Sequence, residues 1–124
     1  MKKIIFLLLG ITLFASCQKE DDNGDLGGNW KLTQIEDFEN DKIIDKKMED
    51  RFWAIQLDLI QIGNGKGRFQ HVNDSLFVQM IYKTSKPEEY GLYDQKNARY
   101  GVEHLSRKSM VLRSKYAELK FRKF

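Results

Sequence analysis

Few residues in this 124-residue chain could carry chemistry: one cysteine, two histidines, a run of carboxylates and five serines near predicted turns. Cys17 is the only thiol, so no intrachain disulfide can form, and its place at the end of an apolar leader offers no nucleophile to a folded domain. His71 and His104 could share a metal with a nearby acid. They stand thirty-three residues apart, however, with no H-x-H or H-x-x-x-H spacing, and no metal is expected. The stretch Glu36–Asp50 holds seven acids and three lysines. A calcium loop places oxygen ligands at alternate positions around a glycine turn; no glycine lies here, so the stretch reads as a solvated loop. Gly63-Asn64-Gly65-Lys66-Gly67 resembles a phosphate cradle only in composition. Such a cradle needs a Gly-Lys-Ser/Thr ending that opens a helix, and Arg68-Phe69-Gln70-His71-Val72 reads as a returning strand. Ser75, Ser85, Ser106, Ser109 and Ser114 fall mostly in turns, where hydroxyls cap backbone groups, and none lies in G-x-S-x-G. No catalytic constellation and no cofactor are expected, which points to a non-enzymatic protein.

Charge narrows the partners. The formal net charge is +3, and from Gly28 onward 18 basic residues face 14 acidic ones. That excess is mild and shows no concentrated basic run, so nucleic acid is not expected as a partner. The leader has its own logic. Met1-Lys2-Lys3 is cationic, and Ile4–Phe14 is an eleven-residue apolar core interrupted only by Gly10 and Thr12. A membrane span needs about twenty apolar residues, so this length suits a secretory signal peptide, residues 1–16. Leu13-Phe14-Ala15-Ser16-Cys17 resembles the lipobox of bacterial lipoproteins. The resemblance implies a diacylglyceryl thioether on Cys17 and acylation of its new amino group, which together anchor a protein stably. The following Lys19-Glu20-Asp21-Asp22 is similar to the export signal that carries Bacteroidetes lipoproteins to the outer face of the outer membrane. Asn23 to Gly27 reads as a flexible Gly/Asp continuation, giving a lipidated and acidic tether over residues 17–27.

Those features need a scaffold, and residues 28–124 read as sheet. Trp30 and Leu32 alternate with Lys31 and Thr33, so a first strand runs from about Asn29 to Ile35 and Trp30 becomes the plug of a small barrel. A short strand at Lys42-Ile43-Ile44 or a helical turn before Arg51 would fit the acidic stretch. Phe52 to Ile62 reads as one strand, with Trp53, Ile55, Leu57 and Leu59 on one face. Gly63–Gly67 turns the chain, and Asn73-Asp74-Ser75 turns it again. Leu76, Val78, Met80 and Tyr82 then share a face opposite Phe77 and Ile81. Thr84 to Ala98 is a second long loop holding Pro87, which excludes a central strand there. Arg99–Leu105, Met110–Ser114 and Ala117–Phe124 complete the chain, the last with Ala117, Leu119 and Phe121 facing in. Seven or eight strands joined by short turns predict an all-β antiparallel up-and-down meander. Closure into a barrel removes its edges.

The chain resembles the lipocalin-like lipoproteins of Bacteroidetes. The likeness rests on Gly28-Asn29-Trp30, the Phe52–Ile62 run with its glycine turn, the hairpin His71-Val72-Asn73-Asp74-Ser75-Leu76, Ser109-Met110-Val111-Leu112-Arg113-Ser114, and the closing Leu119-Lys120-Phe121-Arg122-Lys123-Phe124. It implies a tryptophan at the closed end of the barrel beneath a basic residue of the last strand. Lys120, Arg122 and Lys123 are available for that place, and Arg122 is the one assigned. It also implies a small apolar ligand, entering between the two long loops to meet Trp53, Leu57, Phe69 and Tyr82. The expected protein is thus an outer-membrane lipoprotein, facing outward and bound to the membrane through Cys17. The alternative is a protein-interaction or inhibitor module with a filled barrel.

Overall fold

The computed structural model describes residues 23–124. The expected signal peptide, Cys17 and the run Lys19, Glu20, Asp21 and Asp22 lie outside the described residues. Nine strands form among the described residues: β1 (Gly28–Asp37), β2 (Lys42–Asp45), β3 (Phe52–Gln56), β4 (Leu59–Ile62), β5 (Gly65–Val72), β6 (Ser75–Tyr82), β7 (Ala98–Leu105), β8 (Ser109–Arg113) and β9 (Ala117–Lys123). All neighbours are antiparallel, and β9 returns to pair with β1 from Trp30↔Lys123 to Asp37↔Ala117. Strand β1 is shared on its other side: Gly28–Lys31 pair with β3, and Gln34–Asp37 with β2. The result is the expected all-β antiparallel barrel, closed by eight strands, with β2 added as an extra hairpin strand at one end.

Local sequence explains the register. Along β1 the buried residues are Trp30, Leu32 and Ile35. The change of parity after Leu32 coincides with a bulge in the β1–β9 pairing, which inserts one residue and re-aims the strand. The Phe52–Ile62 run is two strands rather than one. Gln56 pairs with Leu59 across a two-residue turn, and Leu57 there adopts φ 56°. Trp53 therefore opposes Ile62, and Ile55 opposes Ile60, and all four face inward. The turn leaves Leu57 and Leu59 outside.

The two ends of the barrel differ. The lower end carries the turns after β3, β5 and β7. It is plugged by a 3-10 turn at Gly24–Leu26, whose Leu26 is fully buried. Trp30 Nε1 donates to the Leu26 carbonyl at 2.7 Å. The tether therefore ends earlier than expected, since residues 24–27 belong to the barrel. The upper end gathers β2, Arg51, the Gly63–Asn64 turn, the long segment 83–97 and the β8–β9 turn. Between the ends, Trp53 sits edge-on to Tyr100 and Phe121, with ring centres 5.5 and 5.0 Å away; such aromatic contacts add to simple burial. Every buried apolar side chain among the described residues joins this one core, so the described portion is a self-contained folding unit.

Candidate functional site

The upper mouth is where a barrel of this kind would admit a ligand, and segment 83–97 lies across it. The segment makes a 3-10 turn at Pro87–Tyr90 and then carries Gly91 and Leu92 inward, where both are buried. Trp53 Nε1 donates to the Tyr90 carbonyl at 2.9 Å, and the Tyr100 hydroxyl donates to the Gly91 carbonyl at 2.8 Å. Two glycines show how closely the strap is pressed. A Cβ on Gly91 would stand 2.5 Å from Leu119 Cδ2, and its φ is already +76°. A Cβ on Gly63 would stand 2.8 Å from the Tyr90 ring. At the flanks Arg51 pairs with Glu89, contacts Glu49 at 3.2 Å and stacks 5.3 Å from the Tyr90 ring centre. Thr84 N–H donates to Gln95 Oε1 at 2.8 Å, and Thr84 Oγ1 to Asn64 Oδ1 at 2.9 Å. The strap is thus part of the core. The two long loops meet at the same end, as expected, but one of them fills the mouth instead of rimming it.

The apolar surface lies on the outside instead. Leu57, Leu59, Ile81 and Tyr82 border a groove of about 460 Å³ on the outer face of β3–β6, with Gln56, Gln61 and Lys66 around it. The four residues expected to line one interior site are therefore split. Trp53 and Phe69 are buried in the core, whereas Leu57 is 46% and Tyr82 69% exposed on the outer face. The turn at Leu57–Asp58 accounts for the first. A register shift between Lys66 and Gly67 in the β5–β6 pairing accounts for the second, because it interrupts the Leu76, Val78, Met80 alternation before Tyr82.

At the lower end the residue over Trp30 is Lys123, not Arg122. Lys123 Nζ stands 4.4 Å from the ring centre and donates to the carbonyls of Asp25, at 2.9 Å, and Gly27. Arg122 alternates outward and is exposed. His71 is exposed on β5, and His104 Nε2 lies 2.9 Å from Ser109 Oγ. Among the described residues no three His, Cys, Asp or Glu side chains gather. Two of the acids of 36–50 cap their own turns: Asp37 Oδ1 accepts from the Glu39 and Asn40 amides, and Asp45 Oδ1 from the Lys47 amide. The Asn40 side chain and amide hold the Asp37 carboxyl below its usual range.

The sequence matches the family model of a lipocalin-like domain over residues 12–124. The chain belongs to the lipocalin-like domain family. A lipocalin-like protein from Bacteroides uniformis ATCC 8492 has a crystal structure that superposes with a TM-score of 0.68 at 18% identity, covering 82% of this chain and 100% of that one. An uncharacterized protein from Bacteroides eggerthii DSM 20697 superposes with a TM-score of 0.62 at 17% identity, covering 79% and 98%. At such identities the likeness is one of fold. No curated protein matches the chain. Within this lipocalin-like barrel, sequence reasoning missed the Tyr90-Gly91-Leu92 strap, and of its three candidates for the lid it assigned Arg122 where the structure places Lys123. A signal for the first existed in Leu92, an apolar residue beside a glycine in an otherwise polar loop.

Proposed function

We propose that this lipocalin-like protein is a binding module with a filled barrel, held on the outer face of the outer membrane through a lipidated Cys17, and that it engages a partner protein across its outer apolar groove. The observation that carries the reading is the strap: Leu92 and the Tyr90–Gly91 backbone occupy the mouth through which an apolar ligand would have to enter. The groove offers the other half. An apolar centre of Leu57, Leu59, Ile81 and Tyr82 with a polar rim has the anatomy of a protein interface. The anchor and the outward orientation rest on the lipobox-like Ala15-Ser16-Cys17 and the acidic run after it. The reading assigns no catalytic step.

The test has two arms. Titration of residues 24–124 with fatty acids, retinoid-like probes and haem, followed by tryptophan fluorescence, is expected to give no saturable change; a saturable one would return the ligand to the interior. Photo-crosslinking on intact cells from position 59 or 81 is expected to trap a discrete partner that is lost with Leu57→Asp. Adducts from position 103, on the β7 face, equal to those from the groove would sink the interaction reading.

A further inference from the structure

Four basic residues, scattered in sequence, converge on one outer face. Lys31 on β1 is the cross-strand partner of Arg122 on β9, and Arg122 in turn neighbours Ser109 on β8. Lys120 lies along β9 between Gln34 and Val111. Lys47, in the turn after β2, reaches the same place. Lys31, Lys47, Lys120 and Arg122 border a shallow depression of about 390 Å³ that Met110, Val111 and Phe121 also line. Among the described residues no carboxylate pairs with these four cations. The ion pairs among the described residues are Lys46–Glu49, Arg51 with Glu49 and Glu89, and Arg113–Glu118. Like charges directly opposite on neighbouring strands cost stability, so the Lys31–Arg122 pair is not explained by the fold's own needs.

Two neighbours suggest what the face meets. Phe52, the β3 partner of Lys31, holds the ring of Phe124 at 5.1 Å, and Phe124 is left 78% exposed. An exposed Phe beside cations with no carboxylate partner among the described residues suits a membrane interface, where the ring enters the boundary between headgroups and acyl chains. The chain also enters at this end, since Asn23 leads into the Gly24–Leu26 plug beneath Lys123. Cys17 precedes Asn23 by six residues, which span at most about 20 Å. Resting on the lipid-anchored reading above, that length keeps the lower end of the barrel close to the bilayer.

We propose that the face formed by Lys31, Lys47, Lys120 and Arg122, with Phe124 at its edge, docks on an anionic phospholipid surface, lipid phosphates occupying the depression between β8, β9 and β1. Basic residues near such a surface are attracted over a Debye length. Lipidation thus tethers the barrel, and this face fixes which side lies down.

The probe is vesicle co-sedimentation of residues 24–124, which lack both Cys17 and the acidic run. This portion holds every core residue among the described residues, and the Bacteroides uniformis barrel is matched over its full length by a comparable share of this chain. Binding is expected to phosphatidylcholine vesicles containing about one third phosphatidylglycerol, not to phosphatidylcholine alone, and to disappear in high salt. Lys120→Glu with Arg122→Glu should lower the bound fraction at least about tenfold. Arg68→Glu with Arg99→Glu, on β5 and β7 away from this face, should leave it unchanged, and near-ultraviolet circular dichroism would show each variant folded. Equal binding to neutral vesicles, an unaffected double variant, or tight binding of inorganic phosphate or heparin without vesicle binding would overturn the proposal. So would vesicle binding by residues 24–124 that is lost in residues 18–124, since the acidic run would then be the occupant. Membrane fractionation of Cys17→Ala after a high-salt wash, which removes the electrostatic contact, reads the anchor separately, so either idea can fail alone.

Discussion

Lys123 Nζ stands 4.4 Å from the centre of the Trp30 ring and donates to the carbonyls of Asp25 and Gly27. One ammonium thereby ties the last strand to the first and to the 3-10 plug. Its three donors are directed at a ring face and two carbonyls that would otherwise face solvent or each other.

Trp30→Ala should lower stability by about 3–5 kcal/mol, a large part of a total near 5–15 kcal/mol. Lys123→Met keeps the stem and removes the charge, so it should cost about 1–2 kcal/mol. Arg122→Met should fall within about 0.5 kcal/mol of the parent, because Arg122 alternates outward. Urea unfolding would check all three; equal effects at 122 and 123 would mean that the lid contributes nothing.

The strap makes a second prediction. Leu92→Ala should cost about 2–5 kcal/mol, the range for a buried leucine. Gly91→Ala combines φ +76° with a 2.5 Å approach to Leu119, so it should cost about 2 kcal/mol or more. Hydrogen exchange locates the effect: amides of 84–97 should lose protection in Gly91→Ala while β8 and β9 keep theirs. Uniform loss across the barrel would show that the strap cannot open alone.

The strands that alternate cleanly were the legible ones. Ala117, Leu119 and Phe121 in β9, and Leu76, Val78 and Met80 in β6, face inward as their spacing implies. Sequence reading failed where parity changes without a turn residue to announce it. Leu57 turns the chain at positive φ, a conformation bulky side chains seldom adopt, so Phe52–Ile62 read as one strand. The signal lay in Ile60 and Ile62, whose apolar character crosses to the other face. The bulge after Leu32 carries no local mark, whereas the shift at Lys66/Gly67 is marked only by Gly67, a glycine within a strand, where a Cβ would meet the Gln79 carbonyl. The choice of Lys123 over Arg122 follows from the same register, as the two differ only in which face they meet. The strap was hidden because its anchors, Trp53, Tyr100 and Leu119, come from three distant strands.

The anchor yields a third prediction, motivated by the apolar run ending at Ala15-Ser16-Cys17. Cys17→Ala should release the protein from membranes or leave an uncleaved precursor. Replacing Lys19-Glu20-Asp21-Asp22 with alanine should retain the anchor but protect the protein from protease added to intact cells. Detergent partitioning of the Cys17→Ala protein like that of the parent, with processing at the same bond, would refute lipidation. Equal shaving of the tetra-alanine variant would refute the export role.

Tyr100 provides a pH test of the closed mouth. Burial, with smaller contributions from Tyr93 and Asp94, pushes its phenol far above the ordinary value, while its hydroxyl donates to the Gly91 carbonyl. In the unfolded chain the same group ionises near pH 10. The folded state therefore binds one more proton above that point, and stability is lost as pH rises; below pH 10 the contribution is fully present. Tyr100→Phe leaves the Gly91 carbonyl without its donor, which should cost about 1–3 kcal/mol at neutral pH, but it removes this titration. The gap between parent and variant should then narrow above about pH 10, by roughly 1.4 kcal/mol per pH unit. Urea unfolding from about pH 8 to about pH 11 measures it, with the lysines common to both proteins cancelling in the difference. A gap that stays constant through that range would mean that the Tyr100 phenol ionises within the folded barrel, and that the strap admits water to it.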